Sequence, residues 1–195
     1  MGGAVLAGSA ILLLRRRREQ QFRLRRPGHS IPIPDARIAP VEKTIWVVGS
    51  VAAPAVTFMD LALRHLAVRH TQTGVPMPKV VAVELGDEAL TLHLAEHATL
   101  DAPWAALDDS RLRWTLASDT DLEQMGPLSI FQPAPYPLLV TSGTSDAGDI
   151  WLLNLEQLGT IQVTGDPVNA HDFLRYVAAE VAVNPWSRDA RVTCL

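Results

Sequence analysis

Residues 79–95 read KVVAVELGDEALTLHLA, and this stretch decides the fold class. Its second half, 89–95, places leucine at every other position, which is the pattern of a half-buried strand. Its first half, 79–85, is another β-type run, and Gly-Asp-Glu at 86–88 separates the two. The stretch therefore predicts two consecutive strands joined by a short turn.

Further β-type runs lie on both sides of this pair. They cover residues 44–48, 111–116, 138–141, 150–153, 160–164 and 190–195. The loop at 142–148 is typical of a hairpin connection. Strands that come in hairpins, with helices early and late in the chain, favour an α+β fold over a parallel doubly wound sheet. We predict an α+β fold of mainly antiparallel strands and hairpins with two principal helices, preceded by an N-terminal apolar helix.

The first principal helix is predicted over residues 56–69. Pro54 stands where a helix accepts proline in its first turn, and apolar residues recur through the segment at helical spacing. Gly74 and Pro76 then end the helix. The run before it, Thr-Ile-Trp-Val-Val at 44–48, is predicted to be a strand.

The second principal helix is predicted from Pro167 to about Val183. Asp166 is the expected N-cap, and proline is well placed at the first helical position. Asn184 and Pro185 stop the helix. We expect it to bury four apolar side chains, which are Phe173, Leu174, Val177 and Val181.

The first 14 residues, MGGAVLAGSAILLL, carry no charge. As a helix they extend about 21 Å, which is less than the roughly 30 Å hydrocarbon core of a bilayer. A secretory signal peptide has positive charge before its apolar run, whereas the arginines here follow it. Three leucines followed by four arginines have no helical amphipathicity that would bury a face in a core. We therefore expect residues 1–14 to be the end of a longer transmembrane helix.

The formal net charge of −4 combines a basic arm with an acidic body. Residues 1–26 carry seven arginines and one acid, and the rest of the chain carries ten bases and twenty acids. An apolar run followed by arginines is the order found where a helix leaves the membrane into the cytoplasm. Arginines near the surface also attract anionic headgroups, at about 1 kcal/mol each. We predict headgroup contacts for Arg15, Arg16, Arg17, Arg18, Arg23, Arg25 and Arg26.

These features divide the chain into three parts. Residues 1–26 are a partial transmembrane or membrane-anchor helix with its arginine-rich arm, 27–43 are a proline-rich linker, and 44–195 are a soluble α+β domain. A composition that is 48% hydrophobic and 19% charged is near the globular average. The single cysteine, Cys194, excludes a disulfide within one chain and fits a reducing compartment.

Several motifs recur together in a known kind of membrane protein. They are Leu-Leu-Leu followed by four arginines at 12–18, Pro-Tyr-Pro at 135–137, LLNLE at 152–156, IQVTGDP at 161–167 and AAEVAVNPW at 178–186. With these motifs the chain resembles a segment of actinobacterial membrane proteins that carry paired transmembrane helices and an arginine-rich juxtamembrane arm. Those proteins often also carry a LysM or bacterial transcriptional activator domain.

The resemblance covers residues 1–40 and 130–195 and is weaker between them. It implies a membrane location and this architecture. LysM and activator repeats are absent from this sequence, so the resemblance implies neither peptidoglycan binding nor transcriptional activation. None of the shared motifs is a catalytic signature.

His93-Leu-Ala-Glu96-His97 matches the inverted zinc-peptidase motif H-x-x-E-H. The motif works on a helix, where histidines four apart share a face and can bind one zinc ion. In an extended chain, positions 93 and 97 are about 13 Å apart, too far to share an ion. The pattern therefore favours two surface histidines at a strand end, and a metal-dependent hydrolase is the alternative.

Asp119, Asp121 and Glu123 alternate as calcium ligands do. The glycine at position six and the glutamate at position twelve of a calcium loop are missing here. We interpret these acids as a turn or a helix start. The sequence thus predicts no metal and no cofactor.

No motif resembles a working active site. We predict a membrane-anchored cytoplasmic interaction or regulatory domain without catalytic activity. Its predicted partners are the anionic lipid headgroups of the cell membrane and an unidentified protein. An enzyme of unidentified class is one alternative, and nucleic-acid binding through the arginine arm is another. The arm has Phe22 as its only aromatic residue and adjoins an apolar segment, which favours lipid headgroups as its anion.

Overall fold

A computed structural model describes residues 3–24, 39–129, 132–188, 190, 191 and 193. Its elements are, in chain order, α1 (Gly3–Leu24), α2 (Ala39–Thr73), β1 (Val80–Leu85), β2 (Ala89–Leu94), β3 (Ala105–Ala106), β4 (Arg113–Ala117), a 3-10 helix (Leu122–Met125), β5 (Leu139–Thr144), β6 (Ile150–Asn154), α3 (Leu155–Leu158) and α4 (Pro167–Val183). The predicted α+β fold class is confirmed. Most of the predicted proline-rich linker, residues 27–38, lies outside the described residues.

The strands form one antiparallel sheet in the order β3-β4-β2-β1-β6-β5. The predicted pair at its centre is confirmed, since Leu85 of β1 pairs with Leu90 of β2 and the Gly86 amide donates to the Ala89 carbonyl at 3.0 Å. Period two places Leu90 and Leu92 on the same face of the sheet, and both are fully buried. That face is the inner face of the sheet.

The second half of α2 covers the inner face and forms the main core with it. The fully buried side chains that the two layers contribute include Val56, Met59, Ala62, Val83, Leu90, Leu92, Leu116, Leu139 and Leu152. Complete burial of one large aliphatic side chain contributes about 1.5–3 kcal/mol to stability. This cluster is therefore the main source of stability of the domain.

α2 begins well before the predicted helix. It runs for 35 residues, so Thr44–Val48 is helical and the prediction of a strand there is wrong. Pro54 lies inside the helix rather than in its first turn. The physical reason is the contact with α1, in which Trp46, Gly49 and Ala53 take part at helical spacing. In a strand, Trp46 and Gly49 would lie on opposite faces, so both could not contact α1.

Three predicted helix boundaries are confirmed. α2 ends at Thr73, and Gly74 follows with a φ of +69°, a conformation that favours glycine. Asp166 caps α4, since its Oδ1 accepts from the Asn169 amide at 3.0 Å. Asn184 is the C-cap of the same helix.

α1 packs against the first half of α2 with their backbones in close approach. A Cβ atom added at Gly49 would lie 2.4 Å from the Ala7 carbonyl oxygen, and one added at Gly8 would lie 3.2 Å from the α2 backbone. Val5 and Ile11 of α1 are fully buried. The expectation that this apolar run buries no helical face is therefore wrong. Glycine and alanine let the helices approach closely, so the buried face does not stand out by hydrophobicity.

α4 contacts the rest of the protein mainly through its last turns. Phe173 and Leu174, which were predicted to be buried, are 36% and 54% exposed, and Val181 is buried as expected. The segment 160–164 does not form the predicted strand, and Ile161 in it is 44% exposed. The first half of α4 is therefore more exposed than its end.

The predicted C-terminal strand at 190–195 is not found in the part of it that is described. Residues 190, 191 and 193 have no strand conformation. The remaining three, Val192, Cys194 and Leu195, lie outside the described residues.

The outer edge of β5 is closed by side chains from the end of α4. The Glu180 carboxylate accepts from the Thr141 amide at 2.7 Å and from the Thr141 hydroxyl at 2.6 Å. The Trp186 indole donates to the Leu139 carbonyl at 2.9 Å. These contacts satisfy backbone groups that an edge strand leaves open for another chain. Burial raises the pKa of Glu180, although the hydrogen bonds from Thr141 oppose that effect.

Replacement of Glu180 should change how stability depends on pH. Because its pKa is raised in the folded state, folding favours the protonated carboxyl. The stability it contributes is fully present below the ordinary pKa of 4.5 and is lost as pH rises through the raised value. Glu180→Gln should remove this part of the pH dependence. Glu180→Ala should cost about 1–3 kcal/mol, because the buried Thr141 amide loses its acceptor.

Urea unfolding of both variants and the wild type, at several pH values from 4 upward, measures these effects. Glu88→Gln is the matched control, because Glu88 is exposed in the β1–β2 turn. An unfolding free energy with the same pH dependence in the wild type and Glu180→Gln would contradict the assignment.

Gly49→Ala should separate α1 from α2. The new methyl group meets backbone atoms of α1 and the Ile11 side chain, so a helix must shift, and overpacking of this kind costs about 1–3 kcal/mol. Gly3→Ala is the control, because a Cβ there meets no atom within 4 Å. It should be neutral or slightly stabilising, since alanine favours a helix over glycine by up to about 1 kcal/mol. Equal midpoints of thermal unfolding for the two variants would rule out the close contact.

Candidate membrane-binding site

Five of the seven predicted headgroup arginines lie in the described residues. Arg15, Arg16, Arg17, Arg18 and Arg23 are exposed on the second half of α1. Arg25 and Arg26 lie outside the described residues.

Trp46 of α2 lies beside these arginines. The guanidinium carbons of Arg15 and Arg18 are 5.9 and 5.5 Å from the centre of its ring, within the range of cation–π attraction. Arg18 also pairs with Glu42 at 3.4 Å, and the two side chains are 49% and 35% exposed. Such an exposed pair contributes little to stability. The arginines are therefore oriented by Trp46 and still available to an external anion.

An apolar groove runs between α1 and the first half of α2. We call it the α1–α2 groove, and its lining residues are Gly3, Ala4, Leu6, Ala7, Ala10, Thr44, Ile45 and Val48. Its volume is about 510 Å³. Nearby on α2, Val41, Val47 and Val51 are 57%, 61% and 81% exposed. An exposed apolar area of this kind marks a site of contact with a protein or a membrane.

α2 is the one helix among the described residues that is long and apolar enough to cross a membrane. A third of its most apolar 18-residue window, 33%, is buried inside the protein. We call the sheet, the second half of α2 and α4 the body. The second half of α2 belongs to the core of this body. The exposed apolar surface is therefore on its first half and on α1.

Arg16 places the arginine-bearing part of α1 next to the body. Together with Ser9 it lines a small cleft whose other wall includes Asn184, Pro185 and Arg188. The cleft has a volume of about 140 Å³. The arginines and the end of α4 therefore lie at the same level along α1.

The residues of the H-x-x-E-H motif do not come together. His93 lies in β2, where its Nε2 is 3.2 Å from Glu84 and its ring stacks at 4.6 Å on Trp151. Glu96 instead accepts from Lys79 at 3.2 Å, and His97 is exposed. In the part of the chain that the structure describes, no three His, Cys, Asp or Glu side chains are grouped to hold a metal ion.

The acidic turn is a helix start, as interpreted. Asp121 caps the 3-10 helix Leu122–Met125, and its Oδ1 accepts from the Glu123 amide at 3.0 Å. A second acidic area, unforeseen in the sequence, surrounds the β1–β2 turn and includes Glu84, Asp87 and Asp149.

One pair of titratable groups with perturbed pKa values adjoins a cavity. Burial and the neighbouring Glu180 raise the pKa of Tyr176 to about 12. Tyr176 also lines a cavity of about 350 Å³ beside Phe173 and Ser142. Glu180 is fully buried, and both its oxygens are engaged by Thr141. The perturbed pKa values thus follow from the closure of the sheet edge, and Glu180 has no access to a substrate.

Sequence reasoning named the arginines as headgroup contacts, which stays a prediction, and it missed the position of Trp46 beside them and the α1–α2 groove. A usable signal was present in the small residues of α1 and α2. Gly3, Ala7 and Ala10 follow helical spacing, as do Gly49 and Ala53. Small residues four apart are a sign of helices that pack closely.

No protein-family model, no curated protein and no solved structure matches this chain. The resemblance to actinobacterial membrane proteins therefore stays a prediction.

The separation of His93 from Glu96 and His97 leads to a test of the metal alternative. We expect elemental analysis of protein purified without chelator to find less than stoichiometric zinc. His93→Ala should leave the metal content unchanged, because His93 contacts Glu84 and Trp151. One zinc ion per chain, lost on His93→Ala, would overturn this assignment.

Proposed function

We propose that this chain is a membrane-anchored, non-catalytic domain that binds anionic lipid headgroups and presents its body to another protein on the cytoplasmic side. The observation that carries the proposal is the α1–α2 groove, which is apolar and open and has Trp46 and an arginine cluster at its end. Tryptophan and arginine flank apolar segments where proteins meet the membrane–water interface.

Hydrophobic and electrostatic contributions would act together at this surface. The exposed valines of α2 gain by leaving water. Each arginine near an anionic surface adds about 1 kcal/mol. Neither contribution alone gives firm attachment, since stable anchoring usually takes two signals.

Two arguments support a cytoplasmic position of the body. Arginines are retained on the cytoplasmic side of membranes. Arg16 lies in one cleft with Pro185 and Arg188 of the body. A bilayer therefore cannot lie between the arginines and the body in this arrangement. A reporter that is active only in the cytoplasm, fused to the C-terminus, should be active in cells, and an export-dependent reporter should be inactive.

A protein partner would meet the body away from the edge of β5. Glu180 and Trp186 occupy the backbone groups that strand addition needs. The exposed side chains of Val168, Phe173 and Leu174 on α4 are better candidates for such a contact.

Binding of the full chain to vesicles should depend on anionic lipid and on salt. We expect co-sedimentation with vesicles of 70% phosphatidylcholine and 30% phosphatidylglycerol, weaker binding to pure phosphatidylcholine, and a loss of affinity as salt is raised. Replacing Arg15, Arg17 and Arg18 by glutamine should weaken binding roughly 100-fold, at about 1 kcal/mol per arginine.

The control variant removes the same charge from the body. Arg69, Lys79 and Arg175 are exposed and only ion-paired at the surface, so their replacement by glutamine should leave vesicle binding within about twofold. Equal weakening in both triple variants would mean that the arginine arm is not the binding site. Failure of the wild type to sediment would contradict the proposal as a whole.

A further inference from the structure

We infer that the α1–α2 groove binds one acyl chain of an anionic phospholipid, whose headgroup lies against the arginines that follow the groove. The inference rests on the proposed membrane binding and makes it specific. General electrostatic attraction to an anionic membrane needs no groove. The groove would instead hold one lipid molecule at a defined site on each chain.

The chemistry of the groove fits an acyl chain. Seven of its eight lining residues are apolar or glycine, and Thr44 is the exception. Its volume of about 510 Å³ lies within the range of small-molecule sites, about 300–1,000 Å³. Side chains at Gly3, Ala4, Ala7 and Ala10 are small, so the groove is bounded by helix backbone and by Leu6, Ile45 and Val48. The groove thus offers apolar contact along its length and almost no hydrogen-bonding group.

The apolar part of α1 is about as long as an acyl chain in one leaflet, although the segment itself packs on the body, where Val5 belongs to the main core. From Gly3 to Leu14 the helix rises about 17 Å at about 1.5 Å per residue, close to half of the roughly 30 Å hydrocarbon core. Arg15 follows immediately. An acyl chain beside this segment would therefore bring its phosphate to the level of the arginines.

Charge at the end of the groove identifies the headgroup as an anion. Arg17 lies on the same face of α1 as Gly3 and Ala10, because residues seven apart on a helix are about two turns apart. Arg18 lies about 100° further round the helix, where it and Arg15 contact Trp46 of α2. A zwitterionic headgroup would add a positive charge to this cluster, whereas a phosphatidylglycerol headgroup would not.

The same charges argue against a second copy of the chain as the occupant. Pairing two such grooves side by side in the same direction would place the arginine clusters of both copies together. Like charges in close contact oppose association. An anionic lipid, by contrast, neutralises the cluster while its acyl chain covers the apolar surface.

Native mass spectrometry of the full chain in neutral detergent, with phosphatidylglycerol or phosphatidylcholine at equal concentration, tests the inference. The wild type should retain one phosphatidylglycerol and less phosphatidylcholine. Ala10→Phe fills the groove and should reduce retention of phosphatidylglycerol at least about fivefold. Thr44→Phe fills it from α2 and serves as a second variant if the first fails to fold. Ser50→Phe adds the same ring at an exposed position outside the groove lining and should retain lipid as the wild type does.

Vesicle sedimentation of the same variants separates this inference from the proposed function. Ala10→Phe keeps every arginine, so it should still sediment with anionic vesicles. If both groove-filling variants retain phosphatidylglycerol like the wild type while vesicle binding persists, the lipid site is refuted and membrane binding stands. A dimer that disappears on groove filling, with no retained lipid, would assign the groove to a second copy. Arg17→Gln should lower the preference for phosphatidylglycerol over phosphatidylcholine, and an unchanged preference would refute the headgroup assignment.

Discussion

Burial of the inner face of the sheet under the second half of α2 is the interaction on which the rest of the structure depends. Val56, Met59 and Ala62 cover that face and are fully buried. α2 is a continuous helix of 35 residues, so fixing its second half on the sheet also fixes the direction of its first half. Only the end of the first half lies beside the sheet, where Val51 and Pro54 line a cleft with Leu85 and Leu90. α1 is the neighbour that covers part of the first half, and the α1–α2 groove is what remains uncovered.

Elements whose residue spacing fits only one type of secondary structure could be predicted from the sequence. Leucine at every other position in 89–95 predicts a strand, and β2 is one. The run at 44–48 has two readings, because its β-branched residues favour a strand while the residues beyond it continue a helix. Propensity is a weak preference that packing overrides. Contact with α1 at Gly49 decides in favour of the helix, and that contact joins parts of the chain that sequence spacing does not connect.

Close backbone contact and long-range polar contact were the two features hidden from the sequence. The buried face of α1 contains Ala7, Gly8 and Ser9, whose small side chains give no amphipathic pattern. Glu180 reaches Thr141 across 39 residues of chain, and its position on α4 does not reveal this acceptor role. The exposure of the arginines was predictable because their charge is local, and their contact with headgroups stays a prediction. The groove beside them required the relative position of two helices.

Closure of the β5 edge restricts how the body can meet another protein. With Glu180 and Trp186 on its backbone groups, β5 can accept a further strand only if the end of α4 moves away. Arg64 also donates to the Pro185 carbonyl at 3.2 Å and pairs with Asp60 at 2.9 Å, so this end of α4 is tied to α2. Moving it would therefore disturb the helix that covers the sheet. A partner that binds through exposed side chains leaves the core intact. Such binding therefore costs less free energy than addition of a strand to β5.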